Sequence, residues 1–220
     1  MVSAPEVVLG SASPARLRVL RDAGLDPRVI VSDVDEDALL TTMAAFPPED
    51  IVVRLAQAKA DAVVADVLAD CDASDVVVLT CDSMLFFDGR LSGKPHTAQV
   101  AQSQWRTMRN RSAELITGHC VTRIHDGLVA ASAHSAASTT IRFADVDDAT
   151  IDAYVATGEP LSVAGAFTLD GLGGWFVDSV DGDPSSVLGI GLPTVRRLLG
   201  EVGVSVVDLW LSDPTGKSDN

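Results

Sequence analysis

Val7-Val8-Leu9-Gly10-Ser11-Ala12-Ser13-Pro14 decides how the rest of the chain is read. Three consecutive apolar residues form a short buried-strand pattern, and a Gly-Ser-Ala-Ser-Pro turn follows at once. Leu17, Val19, Leu20 and Ala23 then recur at helical spacing until Gly24. The spacing predicts strand, tight turn, helix. Ser13 suits the N-cap and Pro14 the first helical position, where a missing N–H costs nothing, while Gly24 suits the stop. Such a turn presents two hydroxyls and backbone N–H groups where the helix dipole favours an anion. It is a phosphate cradle in outline, with Arg16 one turn in. Ser13 as a plain cap and Ser11 as a plain turn residue explain the same stretch equally well.

Outward from this unit, Arg28 to Val34 reads as a strand that delivers Asp33, Asp35 and Glu36 at its end. Pro48 to Ala69 is the clearest helix, with Ile51, Leu55, Ala58 and Ala62 on one apolar face and Lys59 beside it. Val76 to Leu79 is a continuous apolar run of the kind covered on both sides, expected to end at Thr80-Cys81-Asp82. Asp88-Gly89 and Asp126-Gly127 read as type I′ hairpin turns, the first joining Met84–Phe87 to Arg90-Leu91, the second joining strands at 115–124 and 128–134. Helical spacing returns at Ala98–Met108, at Ala149–Ala156 and after Pro193. The alternation predicts a mixed, twisted α/β sheet flanked by helices. One domain is expected over residues 1–211, and residues 212–220 read as a polar tail.

Composition narrows the function. The 220 residues are 47% hydrophobic and only 5% aromatic, so Val, Leu, Ile and Ala must build the core. The formal net charge of −15 argues against polymeric nucleic acid and anionic lipid as partners. An anionic ligand would need a few local cations, and usually a divalent metal that reverses the sign of the field. Cys71, Cys81 and Cys120 form no Cys-x-x-Cys pair and suit a reducing compartment. No signal peptide and no run of about 20 apolar residues is recognisable, so a cytoplasmic protein is expected.

The residues that could carry chemistry are few. Asp35-Glu36 and Asp82, each placed after a strand, would emerge at the carboxyl edge if the sheet is parallel, where α/β folds bind ligands. One or two carboxylates are what Mg²⁺ takes when phosphates complete its shell. An acidic loop explains Asp33 to Asp37 just as well. For Asp82 that reading is harder, because an ionised group directly after four apolar strand residues needs a cleft. Lys59 could simply snorkel. Lys94, in Gly93-Lys94-Pro95, has its backbone restricted by the proline. His96, His119, His125 and His134 show no zinc-hydrolase spacing, and Gly216-Lys217-Ser218 lies too near the terminus for a Walker A loop. Gly171-Leu172-Gly173-Gly174 is not followed by a helical pattern and reads as a turn between strands.

In order and spacing, Leu9–Arg16, Asp35-Glu36, Leu55–Ala60, Cys81-Asp82-Ser83, Gly93-Lys94-Pro95, Thr117-Gly118, Tyr154–Pro160, Ala164–Phe167 and Gly189–Pro193 are similar to the Maf family of nucleoside triphosphate pyrophosphatases. The resemblance runs from about Val7 to Leu199. It implies an elongated, two-lobed fold like that of inosine triphosphate pyrophosphatases, with a central nucleotide cleft. It also implies cleavage of a nucleoside triphosphate to monophosphate and pyrophosphate with Mg²⁺ or Mn²⁺, and a homodimer. By position, Asp82 matches the catalytic acid/base and Glu36 the metal- or water-orienting carboxylate, the two together forming the metal site. Ser11, Ser13, Arg16, Lys59 and Lys94 match the phosphate contacts. Asp170 stands where family members carry Gln or Glu, a choice that tracks the preferred base. Ala15 replaces a common arginine, which removes one phosphate cation, so weaker triphosphate binding but the same reaction is expected; Ser83 replaces a threonine, and the usual Gly and His near Asn110 and Ala113 are absent. Removal of modified nucleotides is the implied role. The alternatives are a catalytically weak nucleotide-binding regulator of septum formation and a metal-dependent sugar-phosphate enzyme.

Overall fold

The computed structural model describes residues 4–69 and 74–210; Cys71 and the tail 212–220 lie outside the described residues. In chain order the elements are β1 (Glu6–Leu9), α1 (Pro14–Asp22), β2 (Arg28–Val29), α2 (Glu36–Thr42), α3 (Pro48–Ala69), β3 (Asp75–Phe87), β4 (Arg90–Ser92), α4 (Ala98–Met108), β5 (Ser112–His125), β6 (Leu128–Phe143), α5 (Asp148–Ala156), β7 (Val177–Asp181), α6 (Pro184–Val187), α7 (Leu192–Glu201) and α8 (Val206–Leu209). Three short 3₁₀ turns, Glu159–Ser162, Ala164–Ala166 and Leu172–Phe176, connect α5 to β7. The Gly-rich stretch from Gly171 thus leads through a 3₁₀ turn into β7, not between two strands. Among the described residues no helix is long and apolar enough to cross a membrane.

The strands form one mixed sheet in the order β2-β1-β3-β5-β6-β7, with β4 on β3. Only β2, β1 and β3 run parallel, so the carboxyl-edge geometry of a parallel sheet does not apply. Asp88-Gly89 and Asp126-Gly127 all adopt positive φ, as type I′ turns demand, and they close the β3–β4 and β5–β6 hairpins. β3 does not stop at Asp82 but continues to Phe87. β1 pairs with it only as far as Leu79, and β4 takes up pairing at Leu85. Residues 80–84 are therefore held by β5 alone, leaving a gap in the sheet edge.

Strand alternation decides what lies on each side of that gap. Val76 and Val78 pack with Val63 and Val67 of α3, and Met84 with its Val52 and Leu55. Val77, Leu79 and Cys81 face the opposite layer, with Leu198 and Leu199 of α7 and Leu20 of α1. Further along, Leu85 joins a second core on the far half of the strands, where Trp105, Phe143, Tyr154 and Phe167 meet edge to face. Thr80, Asp82 and Ser83 thus fall between two apolar cores.

Candidate active site

Asp82 shares the α3 face of β3 with Val78 and Met84, and it meets Lys59. The buried face of α3 comprises Val52, Leu55, Ala56, Lys59, Ala60 and Val63, so Lys59 lies in the middle of that face and not beside it. Ala58 and Ala62 are only partly buried. Lys59 Nζ donates to Asp82 Oδ1 at 2.5 Å and lies 3.0 Å from Glu36 Oε1. Lys59 and Asp82 are each 6% exposed, whereas the Glu36 side chain is half exposed. Two charges buried this deeply persist because each is the other's partner.

The approach of α3 rests on Gly118, which faces Asp82 across the β3–β5 pair. A Cβ there would lie 2.2 Å from the Val52 carbonyl oxygen and 2.5 Å from the Val53 nitrogen, inside the helix backbone. Thr80 fastens the same contact by donating to the Ala56 carbonyl at 2.7 Å.

Glu36 does not arrive on a strand. β2 covers only Arg28–Val29, and Asp35 caps α2 by accepting from the Ala38 N–H at 2.9 Å. The acidic run is thus the first turn of a helix, where its charge suits the dipole, and that turn points Glu36 towards Lys59.

On the opposite face of β3 the cradle assembles. Arg16 donates from Nε to the Gly189 carbonyl at 2.9 Å, and its terminal nitrogens reach Ser11 Oγ at 3.0 Å and Ser83 Oγ at 3.5 Å. Ser83 Oγ also bonds Thr117 Oγ1 at 3.0 Å. Ser11 is buried and accepts from the Ser13 N–H; Ser13 in turn caps α1 through the Arg16 N–H. The capping role expected of Ser13 is therefore filled. Two clusters, Glu36–Lys59–Asp82 and Ser11–Arg16–Ser83, flank the open edge at 80–84.

Lys94 and Asp170 are hydrogen-bonded or ion-paired to neither cluster among the described residues. Lys94 is exposed on the loop after β4, beside the buried Pro95. Asp170 pairs with Arg18 of α1. Its loop is held by Glu159, which accepts from Tyr154 OH, Thr168 Oγ1 and the N–H groups of Leu172 and Gly173. Burial pushes the Glu159 carboxyl up, but the bonds from Thr168, Leu172 and Gly173 outweigh it and leave its pKa lowered.

Residues 6–202 match the family model described as Maf-like protein. The chain belongs to this family. The Maf-like chain is 60% identical over 208 residues to the nucleoside triphosphate pyrophosphatase of Nocardia farcinica (strain IFM 10152), covering 93% of this chain and 96% of the relative. To the protein of the same name from Rhodococcus jostii (strain RHA1) it is 59% identical over 206 residues, 93% and 96% of the two chains. To that from Mycobacterium sp. (strain JLS) it is 56% identical over 205 residues, 93% and 97%.

Among the described residues of the Maf-like chain no three His, Cys, Asp or Glu side chains gather as a metal site. Glu36 and Asp82 nevertheless aim an oxygen each at one cation, the Lys59 ammonium. That donor set fits Mg²⁺ or Mn²⁺ when substrate phosphates supply the remaining ligands. Sequence reasoning passed over Thr117, His119 and Gly189 as site residues. Their hydrogen-bond partners Ser83, Gly191 and Arg16 are remote in the chain, so only the family segments Thr117-Gly118 and Gly189–Pro193 point near them.

Proposed function

We propose that this protein hydrolyses nucleoside triphosphates to the nucleoside monophosphate and pyrophosphate. The observation that carries this reading is the buried Lys59–Asp82 pair, joined by Glu36, at the open edge of β3 across from Arg16 and Ser11. The names of relatives at 56–60% identity support it and disfavour a catalytically weak regulator or a sugar-phosphate enzyme.

Lys59 orients the Asp82 carboxylate through Oδ1, so the carboxylate can accept a proton from water attacking the α-phosphorus. As that oxygen bonds to phosphorus, the bond to the α,β-bridging oxygen breaks and pyrophosphate leaves with the electron pair. Arg16, Lys59 and Lys94 offset its charge, and Ser11 orients the chain of phosphates. Glu36 and Asp82 would hold a divalent metal, which when bound neutralises charge on the phosphate oxygens. Asp170 is the proposed base-reading residue, and clearance of modified nucleotides the proposed role. A homodimer, cytoplasmic residence and one two-lobed domain over 1–211 complete the proposal.

Hydrolysis in H₂¹⁸O with Mg²⁺ tests it. Label in the monophosphate, with unlabelled pyrophosphate, is expected. Orthophosphate as the sole primary product, or label in pyrophosphate, overturns it.

A further inference from the structure

Behind Arg16 lies a buried histidine that the proposed chemistry does not use. His119 sits on β5 opposite Cys81, fully buried on the α7 side of the sheet. Its Nε2 accepts the Gly191 N–H at 2.8 Å. That bond requires a lone pair on Nε2, so the ring is neutral with its proton on Nδ1, which is buried without a hydrogen-bond partner among the described residues. Gly191 occupies the N-cap of α7 and, as glycine, cannot cap it, while Ser185 Oγ accepts the next N–H, that of Leu192, at 2.9 Å. Two residues earlier, the Gly189 carbonyl accepts from both Arg16 Nε and Cys81 Sγ, at 2.9 and 3.2 Å.

The approach is tight on both sides of this loop. A Cβ on Gly191 would lie 3.2 Å from His119 Nε2, and one on Gly189 would lie 3.2 Å from Arg16 Nε. The histidine, the two glycines and the arginine form one continuous contact from the sheet interior to the cradle. A leucine could fill the same volume without the cost of burying an imidazole. Only an acceptor at the position of Nε2, however, holds the Gly191 N–H.

We propose that His119 is a positioning residue for triphosphate binding: through the Gly191 N–H it fixes the loop Gly189–Gly191, and through the Gly189 carbonyl it aims the Arg16 guanidinium into the cradle. The inference rests on Arg16 being a phosphate contact, as in the function proposed above. Arg16 keeps two nitrogens for Ser11, Ser83 and phosphate because its Nε is committed to the loop. Loss of the His119 bond leaves the loop held by Ser185, Ser186 and Cys81 but removes its anchor at Gly191, and the guanidinium then has to be ordered in part by the substrate at the expense of affinity.

Steady-state kinetics on a triphosphate that the wild-type protein cleaves, read for H119L, H119Q, H119N, R16A and R16A/H119L, test this. H119L should raise KM about 10-fold, with kcat within about 3-fold, the size of one lost buried hydrogen bond. In H119Q the amide oxygen can still reach Gly191, so KM should return to within about 3-fold of wild type. In the R16A background H119L should add under about 2-fold, because its effect runs through Arg16. An unchanged KM in H119L, or the same rise with and without Arg16, overturns the positioning role. If H119L does not fold, the comparison of H119N, whose amide is too short, with H119Q decides in its place; equal KM values overturn the inference. An R16A variant with wild-type KM sinks the phosphate assignment itself, whereas a raised KM in R16A beside a silent H119L sinks only the role of His119.

Discussion

Lys59 Nζ lies 2.5 Å from Asp82 Oδ1 and 3.0 Å from Glu36 Oε1, and of the three side chains only that of Glu36 is substantially exposed. A helix and two separate segments of chain thus deliver one cation and two carboxylates to a point beside the unpaired stretch of β3. The pair is asymmetric in what its loss would do. Asp82→Asn leaves Lys59 its partnership with Glu36, so the fold should hold while kcat falls roughly 10²-fold or more with the loss of the proton acceptor. Lys59→Met strands the buried Asp82 charge and should cost about 3 kcal/mol or more in chemical denaturation. Near-wild-type turnover in Asp82→Asn would remove Asp82 from the proton-transfer step.

Chelation should abolish turnover, and Mg²⁺ or Mn²⁺ should restore it. Glu36→Gln replaces a charged oxygen donor by a neutral one. In the presence of a non-hydrolysable triphosphate, it should weaken Mn²⁺ binding about 10-fold or more, read from the free-ion electron paramagnetic resonance signal. Unaltered Mn²⁺ affinity would place the metal elsewhere.

Gly118 sets how closely α3 can approach the sheet. Gly118→Ala puts a methyl group inside the backbone of Val52 and Val53, so α3 must lift, carrying Lys59 away from Asp82. A loss of about 2 kcal/mol or more is expected, together with a fall in kcat, because the obstacle is backbone and cannot rotate aside. Measured stability and turnover equal to wild type would show that the contact is not required.

His119 makes the stability of the protein sensitive to acid. Burial, and then the nearby Arg16 charge, lower its pKa from 6.5 to about 4. Between those values the unfolded chain holds a proton that the native ring refuses. Stability is therefore fully present above about pH 6.5 and declines as pH falls towards 4, at about 1.4 kcal/mol per unit of depression. Melting curves of wild type and His119→Gln should converge or cross as pH drops through this window. Parallel pH profiles would contradict it.

Asp170 is engaged by Arg18, which ties its loop to the helix that begins at the cradle. A carboxylate only accepts hydrogen bonds, whereas an amide also donates. Asp170→Gln should therefore shift the kcat/KM ranking across a base panel towards uracil and thymine. An unchanged ranking would strike Asp170 from base recognition.

Much of the fold was legible from local chemistry. The Ser13-Pro14 helix start, the two Asp-Gly hairpin turns, the span of α3 and the bounds of α4 follow from capping, φ preference and apolar period, and all depend on residues a few positions apart. The acidic run at Asp35 reads locally as the end of a strand, although an Asp with acidic neighbours and Leu39-Leu40 beyond is also a helix start. The expected end of β3 at Thr80-Cys81-Asp82 has a sound local reason, since an ionisable Asp is a poor occupant of a buried strand. Tertiary structure overrode it by supplying partners from distant parts of the chain: the Ala56 carbonyl to Thr80, Lys59 to Asp82, and Thr117 and Arg16 to Ser83. The sequence by itself determined which residue types could bind phosphate and handle a proton, because that is chemistry of side chains. Which of them meet was decided only when α3 settled on Gly118 and the Gly189–Gly191 loop closed over His119 and Arg16. Those contacts join residues from about 65 to more than 170 positions apart, and their energy exists only once the intervening chain has folded.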